Sequence, residues 1–494
     1  MTRRFTLIMT VVCALFPISA LAHWTLVEEH WYTIEIAGGR AGHARERIER
    51  HDDDRRIRMT IDTAMRMGRL GADVSIAVAS ISVETVDGEP IRFESSSTLS
   101  QQSKSTICVF DDETITITHI DGPRERTSER PVPAGDWLMP FESRTFIKAR
   151  LDADAERIEY RTLSAEGGVE PIEVTMTKVS EGRMDVNGRE LPVTTWSLTS
   201  SDLPGIPMTA IYSADGIVIE QAMNLPVGTM VSRLTTRDEA LARGGPAPEL
   251  MAPSFVELEK PIRNLEERRA ITFEVIARDG TLPALPNAGV QRVEMSDDKR
   301  RATVQVDLDA PQAATDEERD NAVWLGASTM IDREDPMIIA LMRKATRRAG
   351  ESPMERALAM RTFVDRHISQ KDFDTAFASA SECAKMRTGD CSEHAVLLAA
   401  LLRADDIPAR VADGLVYVDG YGESGQVFGW HMWTQALIDG VWVDLDATLS
   451  TPYHVGHILT NTSSMADNDT GENFSSMLRL LGNIDIRVVE PPVD

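Results

Sequence analysis

"RTGDCSEHAVLLAALLRADDIPARV", residues 387–411, decides how the second half of this chain folds. A single cysteine, Cys391, stands behind Gly389 and Asp390 and ahead of a run of Ala, Val and Leu. Asp390 and Glu393 form the acidic version of a capping box, which starts a helix at Cys391. Gly389 permits the sharp backbone turn that leads into such a helix. Ala395 through Leu402 is apolar all round, so the spacing predicts a helix buried on every side. A thiol at the positive end of a buried helix dipole is stabilised as the thiolate. Read alone, the same residue is a small buried hydrophobe. The sequence downstream decides between the two.

"WHMWTQALIDGVWVDLDATL", residues 430–449, reads as two alternating strands joined by Asp439-Gly440, a strong two-residue hairpin signal. With that turn, Ile438 faces Val441, His431 lies opposite Thr448 and Asp446 lies opposite Trp433. Asp446 then shares a face with His431, one diagonal step away, where Cα atoms stand about 7–8 Å apart. Asp444 has the right parity but is a step further off, and Asp439 is in the turn. The register selects Asp446 to orient the imidazole. Cys391, His431 and Asp446 are therefore the candidate catalytic residues. His431 deprotonates the thiol and later protonates the leaving amine, while Asp446 fixes its tautomer and steadies the imidazolium. The backbone N–H of Cys391 supplies one oxyanion donor.

"GDCSEHAVLLAALLRADDIPARV", then "HMW", then "WVDLDAT" resemble the transglutaminase-like superfamily, a branch of the papain-like cysteine enzymes. The resemblance covers about residues 329–452 and implies a core in which the cysteine helix packs on an antiparallel sheet. The family's triad falls on Cys391, His431 and Asp446. Ala447 departs from the pattern, standing where the family commonly has Pro. Members include protein cross-linkers, peptidases, amidases and inactive scaffolds. The expected activity is attack on a protein or peptide amide through a thioacyl intermediate, with a cysteine peptidase or amidase leading. A cell-wall amidase acting on peptide stems shares this chemistry. The alternatives are a cross-linking transglutaminase and a non-catalytic envelope-binding scaffold. No cofactor and no metal is expected. Cys391, His394 and His431 could hold zinc only by consuming the nucleophile, and His394 is usual in the resemblance. His454 and His457 in "YHVGHI" have ligand-like spacing, but two histidines alone are weak grounds for a metal.

Upstream, Arg3 and Arg4 precede an apolar run from Phe5 to Phe16, and Ala20-Leu21-Ala22 follows. That order reads as a secretory signal peptide over residues 1–22. Pro17 and Ser19 interrupt it too early for a membrane anchor, which needs about 20 apolar residues. Export to the periplasm or beyond is expected, with no membrane span after cleavage. The chain carries 78 acidic and 52 basic residues, a net charge of −26. Such a surface repels phosphate backbones, so nucleic acid is not an expected partner; protein or peptide substrates are. Cys13 leaves with the signal. Cys108, Cys383 and Cys391 remain, and Cys108 and Cys383 are either bridged or buried as free thiols.

The full chain of 494 residues exceeds what one core serves. A β-rich N-terminal region is expected over residues 23–243, where "RIRMTIDTAMRM" puts Met59, Ile61, Met65 and Met67 on one face. A core face explains that cluster better than copper does. "RGGPAPELMAP", residues 243–253, reads as a linker. A small β-rich domain follows over 254–310, with "AITFEVIARDG" and "RATVQVDL" as its clearest strands. Two helices then support the cysteine segment. Asp335 caps one that starts at Pro336 and puts Ile338, Leu341, Met342 and Ala345 on an apolar face. The other starts with the Ser352–Glu355 capping box and is expected to bury Leu358 and Phe363. Residues 453–494 form a C-terminal extension. Asn461, Asn468 and Asn473 lie in glycosylation sequons that matter only in a glycosylating pathway. The fold class is α+β.

Overall fold

The computed structural model describes residues 24–489, apart from 52–54, 70–71, 100–101, 122–123, 164–169, 204, 226–227, 250–253, 372–377, 422–424, 452 and 467–479. The expected signal peptide, the end of the linker, Asn468 and Asn473 lie outside the described residues. Among the described residues, no helix is long and apolar enough to cross a membrane.

The architecture is α+β. Fourteen strands between Trp24 and Thr235 join in one antiparallel sheet. Its first strand, Trp24–Ile36, pairs with Gly39–His51 on one side and with the last, Gly228–Thr235, on the other. The chain thus runs outward to one edge at Arg124–Pro131. It crosses by the Pro140–Asp152 helix and returns from the other edge, Arg157–Thr162. That helix starts on the sheet because buried Glu84 accepts the Phe141 and Glu142 amides at 2.9 and 3.0 Å. The methionine face divides in two. Met59 belongs to a cluster with Ile48 and Ile57, and Met65 and Met67 pack on Ile34 and Ile36. Ile61, expected in the core with them, falls between the clusters and is 36% exposed.

Cys108 and Cys383 are free and buried in different clusters, one in the large sheet and one beside the cysteine helix. Burial pushes the Cys108 thiol up to about 11 and Cys383 well above the usual thiol range.

Residues 336–463 build the layer that positions the site. Helices Pro336–Thr346, Pro353–His367 and Ala380–Met386 surround the Cys391–Ala404 helix, whose residues from Ala395 to Leu402 are all buried. Both expected caps are present: Asp335 accepts from Met337 N–H, and Ser352 and Glu355 close a capping box. Leu358, expected in the core, is instead 48% exposed. The stripe that faces inward is Ala357, Met360 and Val364, and a residue one step along a helix is turned about 100° from its neighbour. Phe363 is half-buried against that core.

The cysteine helix packs on a five-stranded antiparallel sheet. Its ladder runs Val256–Glu257, Gly425–Ile438, Ala409–Tyr421, His457–Ser463, and Val441–Leu445 also pairs with Gly425–Ile438. A four-stranded sheet lies against it, made of Gln291–Met295, Arg301–Asp307, Ala270–Ala277 and Ile484–Val489. The last of these strands comes from the C-terminal extension. The two sheets share one apolar cluster, in which Phe273 meets Phe428 edge-to-face at 5.4 Å.

Candidate active site

The cysteine helix begins where the sequence places it. Gly389 has φ +149°, and a Cβ there would lie 2.5 Å from the Glu393 side chain, so glycine alone fits. Asp390 Oδ1 accepts from the Ser392 amide at 2.8 Å and from its hydroxyl at 2.7 Å. Glu393 accepts from the Asp390 amide at 2.9 Å and, through its other oxygen, from the Ala378 amide at 3.2 Å. These bonds lock the first turn, and Cys391 is its first residue, half-buried. Burial and the neighbouring Asp390 push the Glu393 carboxyl up to about 7.

His431 sits on the Gly425–Ile438 strand opposite Gly414. The Thr434 hydroxyl, on the same strand, donates to the Ala395 carbonyl at 2.9 Å and fixes strand against helix. The Cys391 side chain is hydrogen-bonded to the His431 ring. His431 Nε2 lies 2.7 Å from Asp446 Oδ2, which leaves Nδ1 for the thiol. Burial alone would push this imidazole down. The Asp446 charge and hydrogen bond, with Cys391, outweigh burial and carry it up to about 10. Burial likewise pulls Asp446 up, but its two histidine partners hold it well below the usual carboxylate range.

The Asp439-Gly440 turn has positive φ at both residues, 50° and 77°, and sets Ile438 opposite Val441 as the sequence requires. The ladder expected to continue to Thr448 stops at Thr434 and Leu445. Asp446 therefore reaches His431 from a turn rather than across paired strands. Its Oδ1 accepts from the Thr448 and Leu449 amides at 2.8 and 3.3 Å, the mark of an Asx turn. Asp444 is engaged elsewhere, accepting from Trp433 Nε1 at 2.8 Å and Gln435 Nε2 at 2.7 Å. The structure thus brings Cys391, His431 and Asp446 together and leaves Asp444 out.

Residues 340–447 match the model of the transglutaminase-like superfamily. The chain carries a transglutaminase-like domain. Among solved structures, it is similar to a β-barrel-like protein of a domain of unknown function from Brucella abortus, at 12% identity and TM-score 0.33. That alignment covers 43% of this chain and 98% of the other. A putative cysteine protease from Cytophaga hutchinsonii aligns at 16% identity and TM-score 0.28, covering 46% of this chain and 90% of the other. The periplasmic domain of TgpA from Pseudomonas aeruginosa aligns at 18% identity and TM-score 0.27, covering 40% and 73%. No curated protein matches the chain.

Around the three residues lie groups that sequence reasoning missed. Arg361, on the Pro353–His367 helix, donates to the carbonyls of Asp446, Leu449 and Thr451 and so ties down the turn that carries Asp446. Lys371 donates to the Thr448 carbonyl beside it. His457, read from sequence as half of a weak histidine pair, is buried with its Nε2 at 3.1 Å from Asp446 Oδ2. Gly414 makes that approach possible: a Cβ there would meet the Ile458 carbonyl oxygen at 2.1 Å and the Trp433 ring at 2.8 Å. No local spacing announces this contact, because it depends on the pairing of Ala409–Tyr421 with His457–Ser463.

His394 turns its Nδ1 to the Asp390 carbonyl at 2.6 Å. It is not part of the cluster of possible metal donors found among the described residues. That cluster is His431, Asp446 and His457, with ligand atoms within 4.8 Å of one another. Tetrahedral zinc with bonds of about 2.0–2.1 Å holds its ligand atoms about 3.3 Å apart. The 2.7 Å contact of His431 with Asp446 is closer than that, and it is a hydrogen bond. The residues as arranged do not fit a metal.

Proposed function

We propose that this protein is an exported thiol enzyme that attacks protein or peptide amide bonds through Cys391, His431 and Asp446. The observation that carries the reading is the chain of contacts: a thiol at the start of a buried helix, hydrogen-bonded to an imidazole whose other nitrogen is 2.7 Å from a buried carboxylate. In this reading the Cys391 thiolate, its proton already held by His431, attacks the amide carbonyl carbon. The Cys391 amide N–H stabilises the oxyanion. The tetrahedral intermediate collapses by breaking the C–N bond, and His431 gives its proton to the departing amine. A thioester remains. Water, deprotonated by His431, then attacks the thioester and releases the acid and the thiol. Hydrolysis is the preferred resolution because water is always present and, among the described residues, nothing marks an amine-binding pocket.

Asp446 keeps His431 in the tautomer that presents Nδ1 to sulfur, and the upward displacement of His431 favours the thiolate–imidazolium pair. Export rests on the leader-like sequence of residues 1–22. The decisive experiment is the pH dependence of iodoacetamide labelling at Cys391, read by peptide mass, in the wild type and in His431→Ala. An ordinary thiol titrates near pH ~8.5. A paired one labels well below that, and His431→Ala removes the low-pH limb. Labelling that follows an ordinary thiol and ignores the substitution sinks the reading. Turnover of casein-like protein against peptidoglycan peptides, with and without a primary amine, then sorts peptidase from wall amidase and cross-linker.

A further inference from the structure

Asp446 serves two imidazoles through one oxygen. His431 Nε2 lies 2.7 Å from its Oδ2, and His457 Nε2 lies 3.1 Å from the same atom. His457 is fully buried, and its Nδ1 stands 2.9 Å from the His454 carbonyl oxygen. A carbonyl oxygen and a carboxylate oxygen are both acceptors. A neutral imidazole carries a single N–H, so it satisfies one of these contacts and turns a lone pair toward the other. Only a ring with a hydrogen on each nitrogen donates to both.

The rest of the surroundings agree. Tyr453 stacks on the His457 ring with centroids 4.2 Å apart, and Trp433 meets it at 5.2 Å in a T-shaped arrangement. Aromatic rings around a cation stabilise it where water is excluded. A second carboxylate, the half-buried Asp444, also acts on this ring electrostatically. His454, with its ring centroid 4.6 Å from that of His457, is pushed down to about 4, chiefly by burial. It therefore stays neutral, and its Nδ1 accepts from the Gly456 amide at 3.1 Å. The one opposing cation among these neighbours is His431, 5.8 Å away between centroids.

We propose that His457 is a positioning residue of this site, an imidazolium that clamps Asp446 Oδ2 and so keeps the carboxylate aimed at His431. Its effect on Cys391 rests on the nucleophile reading above, whereas the protonation of its ring does not. Two measurements on the full chain test it. In protein labelled with 15N-histidine, both ring nitrogens of His457 carry hydrogen at pH 7, with the signals assigned by their loss in His457→Gln. In His457→Phe, which keeps a ring and removes both donors, iodoacetamide labelling of Cys391 at pH 6 falls about tenfold or more. His457→Gln keeps an N–H donor near the Nε2 position and recovers part of that loss. A bare ring nitrogen in the wild type overturns the proposal, and so does wild-type labelling in a folded His457→Phe. If His457→Phe does not fold, the wild-type ring and His457→Gln decide. The two readings fail separately. Labelling insensitive to His431→Ala sinks the nucleophile but not the doubly protonated ring. Labelling that needs His431 yet ignores His457 sinks the clamp alone.

Discussion

At the scale of single residues, the acid that closes the first turn of the cysteine helix is under tension. Glu393 is fully buried and accepts three hydrogen bonds from the loop and turn around it, yet burial and Asp390 hold its carboxyl up at about 7. An unfolded glutamate titrates near ~4.3, so the folded state keeps a proton that the unfolded state has already released. This group's contribution to stability is full below that lower value, declines as pH rises, and is lost once pH passes about 7. The loss is on the order of 3 kcal/mol. Glu393→Gln cannot ionise. It gives up an acceptor, but protection of the Cys391–Ala404 amides against hydrogen exchange should then fall less between pH 5 and pH 8 than in the wild type. Parallel slopes in the two proteins would rule this out. The sequence announces Glu393 as a cap, because a capping box is local chemistry. Its displacement is not legible there, since its largest cause is the burial imposed by the helices packed around the acid. Leu358 makes the same point in reverse: its apolar side chain suggests burial, but the helix is rotated to bury Ala357, Met360 and Val364.

At the scale of elements, the hairpin shows where local reading stops. The Asp439-Gly440 turn fixes which residues face each other, and the pairing of Ile438 with Val441 follows from turn chemistry alone. The end of the ladder is set from elsewhere. Arg361 reaches from the Pro353–His367 helix to three carbonyls, those of Asp446, Leu449 and Thr451, and holds the chain in a turn after Leu445. A guanidinium presents several donors in a rigid fork, and no other side chain satisfies three carbonyls in that geometry. Arg361→Met keeps the apolar stem and removes the fork. It should cost roughly 2 kcal/mol, since hydrogen bonds from a charged donor contribute about 1.5–3. It should also slow iodoacetamide labelling of Cys391 at pH 6, with helix content by circular dichroism unchanged. A variant that is less stable but labels at the wild-type rate would show that the turn supports folding without aiming Asp446.

At the scale of the whole molecule, sequence reading separates 254–310 from 329–452 because their patterns differ, one β-rich and one opening with helices. It also sets 453–494 apart as a C-terminal extension. The contacts tie all three to one body of packing. Phe273, Val304, Phe428, Ile458 and Ile486 share an apolar cluster, and these residues come from each of the three segments. The Gln291 side chain reinforces the tie by pairing with the Leu459 backbone, donating to its carbonyl and accepting from its amide, both at 2.8 Å. Leu459 is two residues from His457, so the small sheet braces the strand that reaches Asp446. Such pairings are invisible to a reading of periodicity, because they join residues far apart in the chain. Phe273→Ala tests whether the segments unfold as a unit. Phe273 is fully buried against Phe428, and removing such a ring costs about 3–5 kcal/mol. If the cluster is a shared core, hydrogen exchange should quicken together in the Ala270–Ala277 and Gly425–Ile438 strands. The Cys391 thiol should then lose its low-pH reactivity at a lower urea concentration than in the wild type. Loss of protection confined to Ala270–Ala277 would instead make the small sheet a separate domain that merely rests on the site. The His457 strand would then have to be held by the five-stranded sheet alone.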